Sequence, residues 1–229
     1  MFEREHHIRI ATILQALDAE LLASHGCLFG GGTAIALSHG EYRESVDVDF
    51  LVSNLAGYQA LRRLLTSKGI QSITRAGMEL ELARDIRADQ YGIRAMIRVG
   101  GAEIKFEIVL EGRIQLEEPK DRICGVSTLT SLDMAATKLL ANSDRWADDS
   151  VFSRDIIDLA MLELTKPALA QAIRKASAAY GDSIKAELAK AIKSLGRKGR
   201  LDECMDALKI DSVPKALLWD RVRSMKPAK

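Results

Sequence analysis

The stretch Val46-Asp47-Val48-Asp49-Phe50-Leu51-Val52 alternates apolar and acidic side chains with a period of two. Successive side chains of a β-strand leave opposite faces, so this pattern predicts a strand over 46–52, and its β-branched residues favour one. Val46, Val48, Phe50 and Val52 would enter a core. Asp47 and Asp49 would share the other face, their Cα atoms roughly 7 Å apart. Two carboxylates aimed at one spot repel each other, which destabilises the fold unless a cation sits between them.

The segment just upstream supplies a partner for such a cation. Cys27-Leu28-Phe29 reads as a short strand running into Gly30-Gly31-Gly32, and Thr33 to Ser38 as a short helix. Gly31 and Gly32 let backbone N–H groups come close to phosphate oxygens, and a helix opening at Thr33 turns its positive end the same way. Mg²⁺ is a hard cation that commonly takes one or two carboxylates plus substrate phosphates. Strand, glycine turn, short helix and D-x-D, in that order, describe a metal–triphosphate site. Neither half is specific alone: the turn lacks the G-x-x-x-x-G-K-[ST] and G-x-G-x-x-G spacings, and an acidic pair on an edge strand is often merely solvated.

The rest of the chain divides by pattern. Residues 3–24 read as one amphipathic helix closed by Gly26, a second helix carries Tyr58, Leu61, Leu64 and Leu65, and Ile70–Arg75 reads as a strand. Segments 91–99 and 103–110 alternate and are joined by Gly100-Gly101, a hairpin signal; residues 77–90 are ambiguous. From Ser131 onward helical windows follow one another, with Ser131 and Ser153 as expected caps and later windows at 168–180, 182–196, 200–209 and 214–224. The expected fold is α+β: a mixed sheet with helices in a catalytic core over 1–125, then an all-α region over 126–229.

At this point the sequence resembles the polymerase-β-like nucleotidyltransferase superfamily, whose signature is a Gly-Gly or Gly-Ser turn followed by an apolar-flanked D-x-D. More narrowly, Gly31-Gly32-Thr33-Ala34 with Arg43-x-Ser45-x-Asp47-x-Asp49-Phe50 is similar to the AbiEii/AbiGii toxin family. Leu132-Asp133-Met134-Ala135-Ala136-Thr137-Lys138-Leu139-Leu140, then Arg145 and Arg154-Asp155-Ile156-Ile157-Asp158-Leu159, resembles that family's helical motif. The resemblance implies that Asp47 and Asp49 hold Mg²⁺, that Gly31, Gly32, Thr33, Arg43 and Ser45 receive the triphosphate, and that Lys138 reaches phosphate. Asp155 and Asp158 would orient Lys138 or the nucleotide; pairing with Arg145 and Arg154 is the purely structural alternative. The superfamily also expects a third carboxylate on a later strand. Glu107 is the first candidate as metal ligand or base, Glu103 on the same face is its competitor, and a Lys105–Glu107 ion pair is the structural alternative.

The implied reaction is transfer of a nucleoside monophosphate from an NTP to an acceptor hydroxyl, with RNA, in particular the tRNA acceptor end, as the expected acceptor and an antitoxin as the expected protein partner. A small-molecule or protein hydroxyl, or an inactive binding module, are the alternatives. Residues 166–229 hold 15 basic and 7 acidic side chains against 18 and 25 in residues 1–165, so a polyanion would meet the C-terminal part, although an ordinary solvated face explains the same excess. Cys27, Cys124 and Cys204 are odd in number and lack metal spacing, which fits a reducing compartment. The charged Glu3-Arg4-Glu5 start and the lack of long apolar runs lead us to expect a cytoplasmic protein without membrane contact. His6, His7, His25 and His39 read as surface or capping residues, and Trp146 and Trp219 as core anchors.

Overall fold

The computed structural model describes residues 2–227. They fall into two compact units. One comprises the residues up to Leu37 with Ser45–Thr130, the other Ser38–Glu44 with the residues from Ser131 onward.

In the first unit α1 (Glu5–Ala16) and α2 (Ala19–Ser24) replace the single helix expected over 3–24. The break falls at Leu17-Asp18, where Asp18 leaves helical geometry and its carboxylate accepts from Leu21 N–H, starting a new helix. Then follow β1 (Leu28–Gly30), α3 (Gly31–Ser38), β2 (Val48–Val52) and α4 (Leu55–Lys68), the last capped by Asn54. Ile70–Ile73 forms a 3₁₀ turn rather than a strand; Ile70 and Ile73, three apart, lie on one edge of such a turn and are both buried, whereas a strand would send them to opposite faces. β3 (Glu81–Ala88), β4 (Gly92–Val99) and β5 (Ala102–Leu110) complete a five-stranded sheet among the described residues, in the order β1-β2-β5-β4-β3. β2 runs parallel to β5 and the other neighbours are antiparallel. Gly100 and Gly101 both have positive φ, as a two-residue hairpin turn joining β4 to β5 requires. A two-stranded ladder, β6 (Arg122–Ile123) with β7 (Val126–Ser127), closes the unit.

One face of the sheet is the core. Val48, Phe50, Val52, Ile104, Phe106 and Ile108 are inaccessible, and the rings of Phe29, Phe50 and Phe106 step across β1, β2 and β5 with centroids 5.5 and 5.7 Å apart, within the range of favourable tilted contacts. Buried Ile10, Ile13 and Leu14 of α1 and Tyr58, Leu61 and Leu65 of α4 complete this layer. Val46 departs from its expected place: it precedes β2 and is 43% exposed.

The second unit is helical: α5 (Ser131–Arg145), α6 (Arg154–Met161), α7 (Lys166–Tyr180), α8 (Ser183–Leu195), α9 (Arg200–Ala207) and α10 (Lys215–Ser224). Apolar Met134, Ala135, Ala136, Leu139 and Leu140 pack α5 against α6, α7 and α8. Ser153 does not cap α6 through its side chain; Phe152 and Ser153 both adopt left-handed backbone there, unlike the extended backbone of an ordinary N-cap residue. Trp146 is half-buried beneath the Lys190 ammonium, 5.5 Å from its ring centroid. Among the described residues no helix is long and apolar enough to cross a membrane.

Candidate active site

The glycine turn and the D-x-D meet in the first unit. Gly30 pairs with Asp49 across β1 and β2, and the chain then turns through Gly31 at φ +69°, a conformation that disfavours any side chain. A methyl group at Gly31 would lie 2.7 Å from Asp49 Oδ2. The carboxylate therefore rests directly on the backbone that opens α3. Gly31→Ala should disturb both partners: a loss of roughly 1–2 kcal/mol from the left-handed backbone, and at least a tenfold fall in turnover as Asp49 is displaced. Melting and steady-state rates of the variant check this; wild-type turnover in a folded Gly31→Ala protein would show that the close approach is incidental.

Thr33 is fully buried, and its hydroxyl donates to Asp47 O at 2.5 Å and lies 2.8 Å from Ser45 Oγ. The first turn of α3 is thus tied to the segment that carries Asp47. His7, expected as a surface or capping residue, is fully buried: its Nε2 accepts from Ser45 N–H at 3.1 Å, so the ring proton resides on Nδ1. His6 Nε2 meets Val46 O at 3.1 Å. Both histidines of α1 hold the backbone leading into β2. Their adjacency on a predicted helix gave no signal of this, because the contact spans 38 residues.

β5 carries both candidates for the third carboxylate, and the Lys105–Glu107 ion pair named as the structural alternative is present. Asp49 and Glu107 are register partners on parallel strands, whereas Glu103 lies two side chains further back on the same face and pairs with Arg98 and Arg84. Glu107 is itself held: Oε1 accepts from Arg94 Nε at 2.7 Å and Oε2 from Lys105 Nζ at 2.5 Å. Burial works against the Lys105 charge, but Glu107, Asp49 and Asp47 outweigh it and hold the ammonium above its usual range. Among the described residues no three His, Cys, Asp or Glu side chains are gathered into a metal cage. Two carboxylates beside a glycine turn are the hard oxygen donors that suit Mg²⁺, whose shell phosphate and water commonly complete.

The remaining expected residues lie in the second unit. Asp158, fully buried, accepts from Tyr42 OH and Arg43 Nε at 2.6 Å, from Arg43 Nη2 at 2.9 Å and from Lys138 Nζ at 2.6 Å. Asp155 accepts from Lys138 at 3.0 Å and from Arg145 at 2.7 and 2.9 Å. Both carboxylates thus grip Lys138, and the guanidinium on Asp158 is that of Arg43 rather than Arg154. Arg43, Lys138 and Arg145 are the cations that face these two anions.

Burial would raise both carboxyl pKa values. For Asp158, Arg43 and Lys138 more than reverse this, and for Asp155, Lys138 and Arg145 do, so both groups sit below the ordinary aspartate range. Their contribution is therefore complete above about pH 4, the unfolded value, and is lost as pH falls through the folded values. Below about pH 4 the melting temperature should therefore fall steadily; thermal melts by circular dichroism between about pH 5 and 2 check this, and a curve that stays level over that range would contradict it.

A mixed sheet carrying a D-x-D beside a glycine turn defines the nucleotidyltransferase fold. The Helicobacter pylori protein JHP933 is similar over 99% of this chain and 94% of its own, with a TM-score of 0.58 at 17% identity. A second H. pylori structure, described as a candidate nucleotidyltransferase, is similar over 96% and 93%, with a TM-score of 0.51 at 17% identity. These likenesses establish fold alone. A family profile described as nucleotidyl transferase AbiEii toxin, type IV toxin–antitoxin system, matches residues 12–225. The chain belongs to the AbiEii nucleotidyltransferase family and is a nucleotidyltransferase. No curated protein is significantly similar.

Proposed function

We propose that the protein transfers a nucleoside monophosphate from an NTP to a hydroxyl of RNA, with Mg²⁺ held by Asp47 and Asp49, as the toxin of a pair with a cognate antitoxin. The observation that supports this reading best is the closeness of Asp49 to Gly31, where a methyl group would lie 2.7 Å from Oδ2, so that an acidic side chain stands beside the glycine turn that opens α3. Bound Mg²⁺ would supply charge neutralisation at the phosphates. The N–H groups of Gly31 and Gly32 and the positive end of α3 receive the triphosphate tail. Thr33, Ser45 and His7 keep that turn and Asp47 in fixed relation, so little reorganisation is left for the reactive complex.

In the transfer, an acceptor oxygen forms a bond to the α-phosphorus while the bond to the bridging oxygen breaks, and pyrophosphate departs with that electron pair. The hydroxyl proton passes to Glu107 or to water. Glu107 serves the acceptor side because it is the register partner of Asp49, and Lys105 and Arg94 orient it. Arg43, Lys138, Asp155 and Asp158 remain assigned to the nucleotide by family resemblance, with the two carboxylates keeping Lys138 in place. Incubation with each α-labelled NTP, Mg²⁺ and total RNA tests the reading. Label on RNA supports it; label on protein or metabolites alone moves the acceptor; no label anywhere removes the catalytic proposal.

A further inference from the structure

The solvent face of the sheet carries one row of register partners running outward from Asp49: Glu107 on β5, Arg94 on β4 and Arg87 on β3. At about 4.8 Å per strand the row extends roughly 14 Å from the catalytic carboxylate. Arg87 and Arg94 stand directly opposite each other, and like charges in that position destabilise a sheet. Arg94 is balanced by Glu107 and Asp89, yet Arg87 adds a second exposed guanidinium at the same level.

Beside the row lies an open depression of about 670 Å³ lined by Leu55, Gln90, Tyr91, Arg94, Glu107 and Arg113. It joins Glu107 to the β3–β4 turn, where Tyr91 is 66% exposed and Leu55 across from it 55%. An exposed ring and a leucine at one end, guanidinium groups along the side and a catalytic carboxylate at the other end match the parts of a nucleotide chain: base, phosphate and terminal hydroxyl. Other cation-lined surfaces lack this continuity. The groove between α8 and α10 lines Lys198 and Trp219 in the second unit, but no catalytic group ends it.

We infer that this row and depression form the acceptor subsite for a single-stranded polynucleotide, with the terminal nucleoside against Tyr91 and Leu55, its hydroxyl at Glu107, and preceding phosphates on Arg94 and Arg87. This rests on the transferase reading of Asp49 and locates the acceptor on the sheet rather than on the basic C-terminal helices. The row is hidden in the sequence because Arg87 belongs to β3, a charged, bulged strand whose register only folding reveals.

The test is fluorescence anisotropy of a labelled 12-nucleotide single-stranded RNA with a free 3′ hydroxyl, titrated with the full chain at several salt concentrations. Tyr91→Ala and Arg87→Glu should each weaken binding about tenfold, and Arg87→Ala should flatten the salt dependence by about one phosphate contact. Arg63→Ala, which removes another exposed cation, on α4, should bind as wild type. Unchanged binding in the Tyr91 and Arg87 variants, or no binding by wild type, overturns the subsite. So does an acidic peptide that competes as well as unlabelled RNA, which would point to a protein partner. Asp49→Asn separates the two readings: it should keep RNA binding while losing transfer. If it keeps transfer, the catalytic assignment fails whatever the row binds.

Discussion

Asp49→Asn should lower nucleotidyl transfer by a factor of about a thousand or more, because an amide keeps the shape of the carboxylate and loses its charge, and charge stabilisation of this kind contributes several kcal/mol at the transition state. The fold should be unaffected, since Asp49 is only half-buried and faces away from the Phe29–Phe50–Phe106 core. Initial rates of label transfer at saturating NTP, together with metal-dependent NTP binding, measure the effect. Both should fall, which separates a lost metal ligand from a lost acceptor contact. Transfer within tenfold of wild type in the asparagine variant would remove Asp49 from the chemistry and leave Asp47 to be tested alone.

The largest expected loss of stability lies in the second unit. Asp158→Ala leaves Arg43 and Lys138 buried without their shared anion, and breaking such a pair from one side costs about 3–5 kcal/mol. For a chain of this size that corresponds to a fall of roughly 6–20 °C in the melting temperature. Replacing the charged members together by apolar residues of similar volume, Arg43→Met with Lys138→Met and Asp158→Leu, should recover part of the loss, because the penalty comes from unpaired charge rather than from missing attraction. Tyr42 also loses its acceptor in the single variant. Urea denaturation of the two proteins decides the point. An Asp158→Ala protein within 1 kcal/mol of wild type would mean that water enters the cluster and solvates the cations.

How much of this was readable beforehand varies with the range of the interaction. The D-x-D strand, the Gly100-Gly101 hairpin and the succession of C-terminal helices are written in local periodicity and turn chemistry, and they are present where periodicity placed them, with ends shifted by a residue or two. β3 was not readable: it bears charged residues on the solvent face, its inward side is only partly buried, and bulges break its alternation. The division of residues 3–24 depended on whether Asp18 would cap a helix or sit within one. The burial of His7 had no local cue, and neither did the pairing of Arg43 with Asp158 across 115 residues.

By itself the sequence determined the classes of element and the two short motifs that mark a nucleotidyltransferase, because strand alternation, helical spacing and glycine turns are properties of neighbouring residues. Tertiary structure alone decided which carboxylate stands beside Asp49, that His7 supports Ser45, that Lys138 is shared between Asp155 and Asp158, and that Arg94 and Arg87 extend the row from Glu107. Those outcomes depend on strand register and on burial, which bring charges within reach only after distant segments have packed and excluded water.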